Sequence, residues 1–264
     1  MTSRPVPVLM YHRIAIESSL AMRKFTVAPD DFNAQLDWLR KAGYTGLTVS
    51  DFARRARIGD HALPNRPVVL TFDDGFADFA EQAAPILRRF EFPATLYVVC
   101  GLVGGTSTWL EGNDTHLPML DWDALRRLQA DGIEIGAHGM SHRALDGLAD
   151  ADLRMEFSQP MQLLTEQLGA PPLSFCYPFG FRNARVRQQV REAGYESACA
   201  VRYGTSSTDD DLFDIARHIV PGGMSMSDFA SLVSGHPPVM SLLRDRARSH
   251  AGFIARQALA VFNR

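Results

Sequence analysis

Apolar runs of strand length alternate with amphipathic stretches of helix length from Val6 to about residue 219, and polar clusters fall directly after the runs. Such alternation builds parallel βαβ units, because a parallel strand pair needs a crossover long enough to hold a helix. A chain of 264 residues can close such units into a barrel or a doubly wound sheet around a large core. In a (β/α) barrel the C-terminal ends of the strands share one rim, so the polar clusters would meet there.

The run Val68–Phe72 ends in Asp73-Asp74-Gly75. A strand sends successive side chains to opposite faces. Two neighbouring aspartates can therefore serve one site only if the backbone bends, and Gly75 supplies that freedom. Taken alone, Asp-Gly after a strand is also ordinary turn chemistry. Val6–Met10 is a shorter strand that stops at Tyr11-His12-Arg13. Ile133–Gly136 runs into His138-Gly139-Met140-Ser141-His142, and Leu173–Cys176 runs into Tyr177-Pro178-Phe179-Gly180. Further strands are expected at Tyr44–Val49, Ala94–Val99 and near 197–201 and 213–219. Helices are expected from Pro29 to Gly43, then at 51–58 with Ser50 as N-cap, at 78–90, from Asp121 to Gly132, at 150–168 and at 184–193. Residues 100–120 are glycine-rich and irregular, a length at which a loop usually has a function.

The net charge of −3 argues against a nucleic-acid binder. Cys100, Cys176 and Cys199 are odd in number and widely spaced, which suggests neither a disulfide framework nor a cysteine zinc site. The N-terminal apolar run is too short for a signal-peptide core, and no run approaches a membrane span. The expectation is a cytoplasmic protein. Residues 240–264 repeat apolar side chains at spacings of three and four and carry five arginines against one aspartate. A basic amphipathic helix of this kind either packs on the barrel, the preferred reading, or lies on an anionic membrane as a peripheral contact at the inner face.

His138 and His142 stand four residues apart, on one helix face or at a strand-to-helix corner. Two histidines and a carboxylate make a three-ligand set for a catalytic divalent ion with room for water. Zinc is the first expectation, and the ligand types also suit cobalt, nickel or iron.

Three stretches together resemble the polysaccharide deacetylases of carbohydrate esterase family 4, which carry the NodB homology domain. They are Thr71-Phe72-Asp73-Asp74-Gly75, His138-Gly139-Met140-Ser141-His142 and Phe175-Cys176-Tyr177-Pro178-Phe179-Gly180. The Trp122 region and Leu9-Met10-Tyr11-His12 agree as well. The resemblance implies a distorted (β/α) barrel over residues 1–235, followed by a helical extension over 236–264. It implies hydrolytic removal of N-acetyl groups from amino sugars of a saccharide or lipid-linked glycan, as in exopolysaccharide assembly. Asp74, His138 and His142 would hold the metal, and Asp73 would be the general base. The Phe179 amide would stabilise the oxyanion, since Pro178 has no N–H to give. His12 would protonate the leaving amine, with His218 as its competitor.

In commoner members an arginine before the proline of the third motif orients the base. Here Phe175 and Cys176 stand there, so Arg182 or Arg217 takes over, or the backbone alone holds Asp73. Trp109, Trp122 and Tyr177 are candidates to stack on sugar rings; for Trp122, core packing is preferred. His61, His116, His236 and His250 read as surface residues. Two other readings remain: a metal-dependent hydrolase of a non-sugar amide or imide, and a non-catalytic glycan-binding module.

Overall fold

The structure is a computed structural model that describes residues 4–235. Eight parallel strands curl into one sheet: β1 (Val8–Tyr11), β2 (Thr45–Leu47), β3 (Pro67–Phe72), β4 (Thr95–Val98), β5 (Glu134–Ala137), β6 (Ser174–Cys176), β7 (Ser197–Cys199) and β8 (His218–Ile219). Their order is β8-β1-β3-β4-β5-β6-β7, with β2 attached to β3. A parallel bridge between Cys199 and Ile215 stitches β7 to the segment that leads into β8. Ala198 N–H donates to Leu212 O, and Ala200 N–H to Ile215 O. The sheet thereby returns on itself as a distorted barrel.

The distortion centres on β3. Its first half, Pro67–Val69, pairs with β2, and its second half, Thr71–Phe72, pairs with β4 along the same edge. The chain leaves β2 for helix α2 (Val49–Ile58), whose Val49, Phe52 and Ala56 pack with the inward-facing layer rather than on the outside of the sheet. Val49 N–H donates to Thr95 Oγ1, and Ser50 donates twice to the Glu134 carboxylate. Thr95 and Glu134 are the first residues of their strands, so α2 starts at the N-terminal mouth of the barrel. The N-cap of α2 is Thr48, which accepts from Asp51 N–H. The expected cap, Ser50, sits inside the helix because Glu134 claims its hydroxyl.

The remaining helices are α1 (Pro29–Lys41), α3 (Ala84–Phe90), α4 (Trp122–Ala130), α5 (Asp150–Leu168), α6 (Ala184–Glu192) and α7 (Met226–Val233). A wide π turn at Phe79–Ala83 precedes α3. Pro85 accounts for it, because it offers no N–H to the preceding turn and its ring crowds the carbonyl four residues back.

Strand alternation sorts the apolar side chains into two layers. Leu9, Tyr11, Val68, Leu70, Phe72, Leu96 and Val98 face outward and pack under Phe32, Leu36, Leu125, Phe157 and other helix residues. Val8, Val69, Tyr97, Cys176, Cys199 and Ile215 face inward. The inward column of each strand continues toward the C-terminal rim, which fixes what the site is built from. The extension at 236–264 lies outside the described residues.

Candidate active site

Asp73 continues the inward column of Val69 and Thr71. Without a bend, Asp74 would point out among the helices. It turns back because Asp74 itself adopts φ +78° and Gly75 φ +86°. A Cβ on Gly75 would lie 3.0 Å from Val98 Cγ1, so glycine is required there on two counts. A non-glycine residue in the left-handed region costs on the order of 1–3 kcal/mol. Among the described residues only Asp74, Glu91, His142 and Phe179 do so. Three of these four are candidate site residues, so the backbone strain is concentrated at the rim.

His138 directly follows β5, and its N–H donates to Val98 O at 2.9 Å. Its Nδ1 donates to Cys176 O at 2.7 Å, because a carbonyl can only accept. That bond leaves the Nε2 lone pair free to face the site. The chain turns a corner at Gly139 and places His142 at φ +55°. The Nε2 atoms of His138 and His142 stand 3.4 and 3.2 Å from the same atom, Asp74 Oδ1. Ligands at about 2.0–2.2 Å from a tetrahedral ion stand roughly 3.4 Å from one another. The three donor atoms, all buried, therefore fit a divalent metal. His142 Nδ1 has no hydrogen-bond partner. Its ring lies against Trp109, with centroids 4.7 Å apart, and against Phe179 at 4.5 Å.

Burial would raise the Asp74 carboxyl, but the two imidazoles outweigh it and hold it well below the usual carboxylate range. Burial also opposes protonation of His138, yet Asp74 and Asp73 together keep its pKa above the ordinary imidazole value.

Asp73 makes different bonds. Arg217 grips it with both arms: Nη1 donates to Oδ1 at 2.7 Å and Nη2 to Oδ2 at 2.8 Å. The guanidinium is fully buried and also donates to Thr71 Oγ1 and Ala200 O. Burial alone would raise the Asp73 pKa; the Arg217 charge outweighs it and lowers the value. Of the two arginines expected to hold Asp73, Arg217 is the one that contacts it. Arg182 is committed to Asp214 instead. The Cys176 thiol stands 3.5 Å from Asp73 Oδ2 and 3.0 Å from Arg217 Nη2. Asp73, His138 and Cys176 form a second set with metal-ligand spacing. The Arg217 cation already touches two of its members, so it opposes a second ion there.

His12 continues the inward column of Val8 past the end of β1 and packs against Phe25, with ring centroids 4.8 Å apart. Burial lowers its pKa, while Asp74 and Asp73 partly restore it. His218 pairs with Leu9, which faces outward, while its neighbour Arg217 faces inward. It sits three residues below His12 on the β1 register, and its Nε2 contacts Thr205 Oγ1 at 3.1 Å. Of the two competing acids, the barrel brings only His12 toward the carboxylates.

Phe179 holds φ +58° in the turn after β6 and is 50% exposed beside His142. Trp109 reaches the rim on the 100–120 loop and packs on Phe76. Trp122 packs against the main core. Tyr177 is fully buried and donates to Phe213 O, so the expectation that it stacks on sugar fails; like Phe175 two residues before it, it faces outward into the layer under the helices. His61 and His116 are exposed, whereas His236 and His250 lie outside the described residues. Sequence reasoning missed Glu156, a buried acid on α5 that accepts from the His138–His142 corner. Its signal was a glutamate within the apolar stripe Leu153, Phe157, Pro160 and Leu164.

The family described as polysaccharide deacetylase matches residues 60–198, more than half of the chain, and spans both motifs of the site. The chain belongs to that family. Its members are metal-dependent hydrolases that release acetyl groups from polysaccharide amides. A protein of Bacillus subtilis (strain 168) named as the polysaccharide deacetylase YxkH is 26% identical over 234 residues, covering 88% of this chain and 78% of that one. The poly-beta-1,6-N-acetyl-D-glucosamine N-deacetylase of Staphylococcus aureus (strain MRSA252) is 24% identical over 218 residues, or 75% of this chain and 70% of the relative. Among solved structures, the Streptococcus pyogenes deacetylase PplD in complex with acetate superposes with a TM-score of 0.76 at 25% identity, covering 90% of this chain and 100% of that one. IcaB from Ammonifex degensii shares the fold, with a TM-score of 0.73 at 23% identity over 89% of this chain and 97% of that one.

Proposed function

We propose that this deacetylase acts on a polymer of N-acetylated amino sugar, of the β-1,6-linked N-acetylglucosamine class named for the staphylococcal relative, and that it uses zinc. The observation that carries the reading is the division of labour between two adjacent carboxylates. Asp74 Oδ1 faces two imidazole nitrogens, while Asp73 is held apart by Arg217.

A divalent ion held by Asp74, His138 and His142 would lower the pKa of bound water and polarise the acetyl carbonyl. Asp73 accepts the proton of the attacking water. Its two oxygens are oriented by Arg217, so its remaining lone pairs keep a fixed direction. The Phe179 N–H lies in the turn that faces His142 and donates to the developing oxyanion. His12 passes a proton to the departing amine, which cannot leave as an anion. The exposed Phe179 ring and Trp109 border the same rim and offer apolar faces to a sugar ring. An open aromatic rim favours a saccharide over a small amide or imide in a closed pocket. The retained carboxylate and imidazole set opposes a purely binding module.

The test is an acetate-release screen over β-1,6-linked poly-N-acetylglucosamine oligomers, other N-acetylated saccharides, lipid-linked glycans and small amides, with and without added zinc or cobalt. Metal-stimulated release from the β-1,6-linked oligomers supports the reading. Release from small amides only would overturn the substrate class.

A further inference from the structure

The corner Gly139-Met140-Ser141 joins the two imidazoles, and its backbone is pinned from both sides. On one side, Cys100 and Gly101 N–H donate to the carbonyls of Gly139 and Met140, each at 3.0 Å. On the other, Met140 and Ser141 N–H donate to Glu156 Oε2 at 2.7 and 3.2 Å, and the Ser141 hydroxyl donates to Oε1. Glu156 is 5% exposed, amid the apolar side chains that α5 turns inward. A carboxylate at such a position is costly unless its lone pairs are used, and here they are used on the corner. The approach is close: a Cβ on Gly139 would lie 2.8 Å from Glu156 Oε2.

His142 needs that support. Metal-type imidazoles are ordinarily oriented by an acceptor on the second nitrogen. His138 has one in Cys176 O, whereas His142 Nδ1 has none. Its backbone is also held at φ +55°, a conformation an isolated histidine leaves readily. The aim of its Nε2 therefore depends on the chain that carries it. We propose that Glu156 is a positioning residue of the site: its carboxylate holds the corner in the conformation that aims His142 at Asp74. The proposal rests on reading Asp74, His138 and His142 as the metal ligands.

The test compares the wild type with Glu156→Gln, Glu156→Asp and Leu164→Ala. It measures zinc affinity by chelator competition, amide exchange in the metal-free protein, and the melting temperature. Glutamine keeps an oxygen acceptor at the same reach. Aspartate keeps the charge but withdraws it by one methylene. Leu164→Ala loosens the same helix about 12 Å along its axis. Glu156→Asp is expected to weaken zinc binding about 10–100-fold and to speed exchange at Met140 and Ser141. Glu156→Gln is expected to stay close to the wild type. Leu164→Ala is expected to lower the melting temperature and leave zinc affinity unchanged. The proposal is overturned if Glu156→Asp binds zinc as tightly as the wild type, or if Leu164→Ala weakens it as much. If the wild type binds no zinc, the metal reading falls, and exchange decides alone. Faster exchange at Met140 and Ser141 in Glu156→Asp than in Leu164→Ala supports the positioning role, and equal exchange overturns it.

Discussion

The two mouths of the barrel hold carboxylates on the same inward face, and they treat them in opposite ways. At the N-terminal mouth, Glu134 accepts four hydrogen bonds: from Ser50 N–H, Ser50 Oγ, Thr95 Oγ1 and Ser174 Oγ. All four donors are neutral, and two of them belong to Ser50 in the first turn of α2, where a negative charge is favoured. At the C-terminal mouth, Asp74 faces two imidazole nitrogens that would rather bind a cation than each other, and Asp73 faces a guanidinium. The backbone differs as well: left-handed non-glycine residues sit at Asp74, His142 and Phe179. A carboxylate whose lone pairs are filled by hydroxyls closes a structure. One left facing ligand atoms on a strained turn is poised for chemistry.

Substitutions at the two mouths should therefore separate. Asp74→Ala should abolish both metal binding and acetate release, read by metal content and by turnover. Asp73→Asn should keep the metal and lose turnover by about 10²–10⁴-fold, the usual contribution of a positioned base. Wild-type turnover in that variant would remove Asp73 from the mechanism.

Arg217→Met should shift the pH profile. With the guanidinium gone, burial dominates and the Asp73 carboxyl rises, so the acidic limb of kcat/KM moves to higher pH. An unmoved limb would show that Arg217 does not set the base.

His12→Gln tests the other limb. An acid must be protonated to act, and burial holds His12 below the ordinary imidazole value of about 6.5. Wild-type kcat/KM should fall as pH rises through that lowered value, and the variant should lose this limb along with most of its rate. The smallest effect on chemistry belongs to the closed mouth. Glu134→Gln should cost about 1–3 kcal/mol of stability by denaturant unfolding and leave metal affinity and kcat unchanged. A comparable loss of kcat would end the contrast between the mouths.

How much of this was legible depends on how far apart the partners lie in sequence. The Asp73-Asp74 strand end and the His138–His142 corner are short contiguous motifs on strand ends, and alternation placed them on one rim. The sequence narrowed the hold on Asp73 to Arg182, Arg217 or the backbone alone, but could not choose among them. Arg217 reaches Asp73 across 144 residues, and only closure of the barrel through the 212–219 segment brings them together. The same closure turns His218 outward, which periodicity over a two-residue strand could not reveal. Thr48 and Ser50 are both good caps, and the choice fell to the tertiary bond that the Ser50 hydroxyl donates to Glu134. Glu156 broke the apolar pattern of α5, and that irregularity was its signal.

The proposed chemistry depends on one divalent ion held by Asp74, His138 and His142 together. Anomalous diffraction at the zinc edge, from crystals of the full chain grown with zinc, tests it most directly. An anomalous peak bonded to Asp74 Oδ1, His138 Nε2 and His142 Nε2 is expected, with Asp73 outside bonding distance and still gripped by Arg217. A peak bonded to Asp73 and Cys176, or no peak among the three residues, would contradict it.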